Sequence, residues 1–318
     1  MNLATTYLGM TLPHPFVVGS SPLAGTLDGA RRLEDAGAAA IVLPSLFEEQ
    51  LRRETNPVEP GGDNIVEAAI PELHLENLRR LKESLSIPVI ASLNGSTLGG
   101  WINWAAALQE MGADALELNL YEVATDERFS SEHVERMALE IVREVRAAVR
   151  VPLAVKLMQN YSSLSCFARQ LEESGADAIV LFNRSFEADV DIENLRISSK
   201  MKLSSRDELQ ARLRWTAILS GQLRRARIAV TGGVHEGSDA VKAVVCGASA
   251  VQVVSALYEK GTAHLRVMRG DFAQWLESHG FESLEQLRAR LSILTPDGDR
   301  GYSRIDYLRM LRDWHPEP

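Results

Sequence analysis

Four times along this chain a glycine is followed by small residues and then by a short apolar run: Gly37-Ala-Ala-Ala, Gly112-Ala-Asp-Ala, Gly175-Ala-Asp-Ala and Gly247-Ala-Ser-Ala. Glycine ends a helix there, because it takes the left-handed conformation that closes the last turn without a Cβ clash. The four lie 63 to 75 residues apart, and each interval can hold two strand–helix units. Between them fall four more apolar runs, Pro15-Phe-Val-Val, Pro88-Val-Ile-Ala, Pro152-Leu-Ala-Val and Ile228-Ala-Val. Three of these begin after a proline, which is tolerated at the first residue of a strand. Eight strands thus alternate with helical patterns, and they are apolar throughout, as parallel strands buried on both faces are. The pattern predicts an α/β fold, a closed (β/α)8 TIM barrel rather than an open doubly wound sheet.

The intervening helices are amphipathic, for example over Trp104–Met111, Ser131–Val149, Ser165–Ser174 and Arg206–Leu223. Two connections are too long for plain turns: residues 46–72, which contain PVEPGGDN, and residues 183–205. Both lie at the C-terminal face, where long loops cover or build a site. Residues 262–294 read as a helical pair that closes the barrel. The expected division is a barrel over 1–294 and a short C-terminal helical extension over 295–318. The PDGDRGY turn and IDYLRMLRDW helix of that extension would pack on the barrel or on a second subunit.

With 45% hydrophobic residues in 318, one domain can bury a sizeable core. A net charge of -9 leaves no basic excess for a nucleic acid or an anionic membrane. No segment approaches the roughly twenty apolar residues that span a bilayer, and the N-terminus lacks a basic stretch followed by an apolar one. Cys166 and Cys246 fall in predicted helices without metal-like spacing and read as core residues of a cytoplasmic protein. The seven histidines pair with no acidic residue or cysteine at metal spacing, so no metal is expected.

The stretch Ile228–Tyr258 reads as strand, glycine turn, helix and strand. Thr231-Gly232-Gly233 lets the backbone approach a ligand, and Gly237-Ser238-Asp239 opens a helix through Cys246, with Ser238 or Asp239 as its cap. In a (β/α)8 barrel the loops after strands 7 and 8 form the usual phosphate site, and an ordinary tight turn is the alternative. The other strand ends carry Gly19-Ser20-Ser21, Pro44-Ser45, Asn94-Gly95-Ser96, Asn119 to Glu122, Lys156, Asn183-Arg184 and Val254-Ser255. Such a rim of amides and hydroxyls suits a heteroaromatic edge of alternating N–H and C=O groups. Lys156, inside an apolar strand, points into the mouth as an electrostatic stabiliser or as a Schiff-base nucleophile, or else it pairs with Glu117 or Glu122. Glu122 is a candidate general base or a solvated loop residue. His235 either reaches a phosphate or lies on the surface.

The blocks GASAVQVVSALY, TGGV, ALELN and VKL, with the opening LGMTLPHPFVVGSS, together resemble the class 1 dihydroorotate dehydrogenases, over most of residues 1–295. The resemblance implies an FMN-containing barrel that oxidises a ring CH–CH bond, dihydroorotate to orotate in pyrimidine biosynthesis. It implies a homodimer, with a redox partner protein as an option. The FMN phosphate would meet Gly232, Gly233, Val254 and Ser255, beside Thr231. The ring would meet Gly19, Ser20, Ser45, Asn94, Asn119 and Lys156, Asn119 and Asn183 would face the substrate, and a base would stand on the strand 4 loop, where Glu122 is the candidate. There are departures: the family's Cys-Pro-Asn is Glu122-Val123-Ala124 here, and its lysine after strand 2 is Pro44. RRETNPVEPGGDN and KMKLSSRDELQ replace its asparagine-rich substrate loop and a glycine pair. Those changes leave open a different substrate on the same flavin barrel, a role as a redox-complex subunit, or an aldolase using Lys156.

Overall fold

The protein is described by a computed structural model over residues 1–52, 71–184, 188–198, 201–296 and 302–315. The strands are β1 (Thr5–Tyr7), β2 (Met10–Leu12), β3 (Phe16–Val18), β4 (Ile41–Val42), β5 (Leu46–Phe47), β6 (Val89–Asn94), β7 (Ala115–Asn119), β8 (Leu153–Leu157), β9 (Ala178–Leu181), β10 (Asp189–Asp191), β11 (Arg196–Ser198), β12 (Arg227–Thr231) and β13 (Ala250–Val253). The helices are α1 (Leu27–Asp35), α2 (Glu48–Arg52), α3 (Pro71–Ser84), α4 (Asn103–Glu110), α5 (Ser131–Ala148), α6 (Leu164–Glu173), α7 (Leu209–Ser220), α8 (Gly237–Val245), α9 (Ser255–Lys260), α10 (His264–Ser278), α11 (Leu284–Leu287) and α12 (Arg304–Asp313).

Eight parallel strands close on themselves in the order β3-β4-β6-β7-β8-β9-β12-β13, with β13 pairing back to β3, and β5 extends the mouth end beside β6. All eight expected strands are present. The four punctuating glycines take φ values of 88, 94, 105 and 116°, each just past a helix end, which explains why a side chain is absent there.

Period-2 alternation along the strands decides what fills the barrel. Ala115, Ala154, Ala178, Ala229 and Ala250 form one buried cluster with Val17, Val42 and Ile90. Their small side chains leave space at the floor, which Tyr7, Leu8 and Leu12 of the β1–β2 hairpin fill. Two residues further up, Ser92, Glu117, Lys156 and Gln252 replace the apolar layer, followed by Asn94 and Asn119. Asn94, Asn119 and Lys156 share one register row across β6, β7 and β8.

Several expectations change. Cys246 is buried but Cys166 is exposed, because it lies on the solvent side of α6. Helix α8 is capped by Glu236 rather than Ser238 or Asp239; Asp239 sits in the first turn and accepts from the amides of His235 and Glu236, both at 3.0 Å. The connection after β9 carries an antiparallel hairpin, β10–β11, that the sequence pattern did not reveal. Helix α12 buries none of its residues. PVEPGGDN and most of the PDGDRGY turn lie outside the described residues.

Candidate active site at the barrel mouth

A cavity of ≈ 450 Å³ opens at the C-terminal end of the strands, within the range of about 300–1,000 Å³ that small-molecule sites occupy. Its wall includes Ser20, Lys156, Asn183, Thr231, Gly232, Gly233, Val254 and Ser255, all expected from the sequence.

On the β12–β13 side the backbone is forced close to its neighbours. Gly232 and Gly233 take φ values of +83 and +78°. A Cβ would lie 2.8 Å from Arg212 Nη2 at the first and 2.6 Å from the Leu209 backbone nitrogen at the second, so both conformation and space demand glycine. The amides of Gly232, Ser255 and Ala256 meet no acceptor among the described residues. The Gly233 amide donates to Ser204 Oγ (3.1 Å), which in turn bonds Ser255 Oγ (2.8 Å). His235 does not reach the cavity: it is buried, its Nε2 lies 2.7 Å from the Ser204 carbonyl, and its Nδ1 lies 3.3 Å from Glu259. Gly19 is tight as well, since a Cβ there would stand 2.9 Å from Val254 Cγ2.

Arg212 is the largest buried side chain here, and sequence reading missed it. Its Nε donates to the Thr231 carbonyl, its Nη1 to the Glu208 carbonyl (2.6 Å), and its Nη2 lies 3.4 Å from the Glu208 carboxylate. Burial lowers its pKa from the ordinary arginine range, and the Glu208 charge opposes that. The signal was present: Arg212 lies three residues after Leu209 and four before Thr216, on the buried face of α7. Ser21, named with its strand end, also lines the cavity, as do Ser204 and Gln252, which were not singled out.

On the opposite side, hydroxyls and carboxamides form a chain next to the cavity. Ser20 Oγ lies 3.4 Å from Ser45 Oγ, which lies 2.8 Å from Ser92 Oγ. Asn119 donates from Nδ2 to both Ser45 (2.9 Å) and Ser92 (3.1 Å), and its buried Oδ1 has no partner among the described residues. Asn94 is half-buried in the adjacent register position. Asn183 anchors its own backbone to the Leu157 carbonyl (2.7 Å). Lys156 is buried at the mouth with Nζ 3.2 Å from Glu117 Oε1, one of the pairings the sequence left open. Glu122 is exposed on the irregular segment after β7 and lies outside the cavity wall. Among the described residues no group of His, Cys, Asp and Glu could hold a metal, and no helix is long and apolar enough to cross a membrane.

A (β/α)8 barrel with a glycine turn after β12, a helix opening directly after β13 and a lysine buried at its mouth defines a class of ligand-binding barrel enzymes. The family profile for dihydroorotate dehydrogenase matches residues 60–273, and the chain belongs to that family. It is therefore an oxidoreductase. It is 28% identical over 306 residues to the catalytic subunit of dihydroorotate dehydrogenase B (NAD(+)) from Thermoplasma volcanium, covering 90% of this chain and 97% of that protein. The corresponding subunit from Pyrococcus furiosus is also 28% identical, over 90% of this chain and 98% of its own length. The NAD-dependent dihydropyrimidine dehydrogenase subunit PreA of Escherichia coli is 24% identical, over 98% of this chain and 82% of that protein.

Proposed function

We propose that this chain holds FMN in the mouth cavity and transfers hydrogen across the saturated CH–CH bond of a dihydropyrimidine ring, with dihydroorotate as the family substrate. The observation that carries the reading is the pairing of unmet donors with unmet acceptors around one cavity. The Gly232 and Ser255 amides stand at one end. Lys156 and the partnerless Gln252 Oε1 and Ser21 Oγ stand along its wall, with the partnerless Asn119 Oδ1 beside it. A flavin mononucleotide fits that set, having a phosphate to accept from amides and a ring edge that both donates and accepts. Proteins of this family are flavoproteins that generally use FMN.

Bound there, FMN would supply the site for the hydride leaving one ring carbon. The Gly232 and Ser255 amides would hold its phosphate, backed by Arg212 behind the turn. Lys156 holds negative charge at the ring as an ammonium. Asn119 and Asn183 orient the substrate amides, and Glu122 accepts the proton from the adjacent carbon, since the two hydrogens leave as different species. Dihydroorotate and other dihydropyrimidines share the ring that this arrangement recognises, and two of the relatives are named for those two substrates. The change of the family's cysteine to Glu122 and of its lysine to Pro44 favours a dihydropyrimidine other than dihydroorotate as an alternative. An aldolase role fits less well, because an ammonium tied to Glu117 has no lone pair with which to attack a carbonyl. We further propose that residues 1–294 fold as the barrel unit, that 295–318 is an appendage, and that the protein acts in the cytoplasm as a homodimer.

The test is a visible absorbance spectrum of the purified protein, before and after added FMN, followed by anaerobic titration with dihydroorotate and with dihydrouracil. Bleaching of the flavin band by either compound supports the reading. A protein that stays colourless in the presence of FMN overturns it.

A further inference from the structure

Below the mouth, a line of buried polar side chains runs down to the barrel floor. Lys156 meets Glu117, which is only 1% exposed. The second oxygen of Glu117 accepts from Gln252 Nε2. Beneath them lies Tyr7 of the floor hairpin, wholly buried, whose pKa is raised well above the usual phenol range by burial first and by the Glu117 charge second. A buried ion pair of this kind adds little net stability over apolar side chains of similar volume, because desolvating two charges offsets their attraction. Stability therefore does not explain why the layer above five alanines is ionic.

The geometry points to Glu117 as a positioning residue for the cavity above it, and this inference rests on the FMN reading. The logic is one of hydrogen-bond polarity. A carboxylate only accepts, so Gln252 must turn its NH₂ toward Glu117 and leave its oxygen free. That oxygen is buried, without a partner, on a side chain that lines the cavity. Asn119 donates to the Ser45 and Ser92 hydroxyls, and its oxygen is likewise free among the described residues. Glu117 thereby sets one ammonium and one carboxamide oxygen at fixed places for a ring edge that needs a donor and an acceptor side by side. Its negative charge also offsets part of the field that Lys156 exerts on a ligand above. Glu117 touches no ligand itself and acts through Lys156 and Gln252.

The experiment uses the full chain with Glu117→Gln, and Glu117→Asp in case the amide variant folds poorly. Acetylation of Lys156 in the FMN-free protein, followed by peptide mass spectrometry, reads the position of the ammonium directly. Acetylation about tenfold faster than wild type in E117Q and about threefold faster in E117D, with the other lysines unchanged, is expected; equal rates overturn the inference. With FMN bound, loss of the counter-charge shifts the reduced-to-oxidised equilibrium about tenfold toward reduced, a rise of ~30 mV for a two-electron couple. An unchanged midpoint potential in E117Q overturns the electrostatic part, since a merely structural role would not move it. Wild-type protein that fails to bind FMN strikes the proposed function instead, and the acetylation rates still decide the role of Glu117.

Discussion

On the β12–β13 side of the mouth, side chains are spent on one another: Ser204, Ser255, Arg212 and His235 each have a protein partner, and apart from the Gln252 oxygen what remains free among the described residues is backbone amide. On the β6–β7 side the backbone is taken up in the barrel ladder, and what remains free is side chain, including Asn119 Oδ1 and the exposed Glu122. Amides cannot be exchanged by mutation, whereas carboxamides and carboxylates can. The first side thus suits a group common to a whole family, and the second suits the part of the chemistry that differs among relatives. The pattern of departures agrees, since Glu122 and Pro44 fall on the second side while Gly232 and Gly233 are retained.

The strongest attack on this division is Glu122→Gln. Removing a general base costs about 10²–10⁴-fold in rate, with FMN affinity unchanged because the amide side is untouched. Anaerobic stopped-flow reduction by substrate measures it. A rate within threefold of wild type moves the proton transfer to another group and leaves the β6–β7 side without its proposed chemistry.

Gly233→Ala tests the other side. It combines a left-handed conformation with a Cβ 2.6 Å from a backbone nitrogen, and should cost roughly 2–4 kcal/mol in urea unfolding as well as weakening FMN binding. Gly270→Ala serves as the control: no atom lies within 4 Å of its Cβ in helix α10, and it should stabilise by about 0.5–1 kcal/mol. Arg212→Met should cost about 3 kcal/mol, because the Thr231 and Glu208 carbonyls lose a buried donor.

Sequence alone revealed the repeating features and missed the single ones. All eight barrel strands were legible because glycine punctuation and apolar runs recur, and Lys156 because a charge within an apolar strand must face something polar. The β1–β2 floor hairpin is three residues per strand, too short for any periodicity to register. The β10–β11 hairpin alternates polar and apolar residues on an exposed ribbon, so no burial pattern marks it. Gln252 looked like one more residue of an apolar strand, and only the Glu117 carboxylate across the barrel gives it a function. Contacts spanning 135 residues leave no local trace.

The mildest effect separates the two sides through their buried histidines. His235, on the β12–β13 side, has both ring nitrogens engaged. His74, on helix α3 behind β6, is buried with Nε2 unpartnered, and burial lowers its pKa to about 4. Its folded-state pKa lies below the unfolded value, so the folded protein resists protonation. Stability from this group is full above about pH 6.5 and is lost as pH falls toward 4. Going from pH 7 to pH 5 should therefore cost on the order of 2 kcal/mol at this one residue. His14, lowered to about 4 by burial and then by Arg269, adds a loss of the same sign. Urea midpoints at the two pH values, for wild type and for His74→Gln, measure the His74 share as the difference between them. If the substitution leaves the acid sensitivity unchanged, burial does not lower the pKa of this ring in the fold.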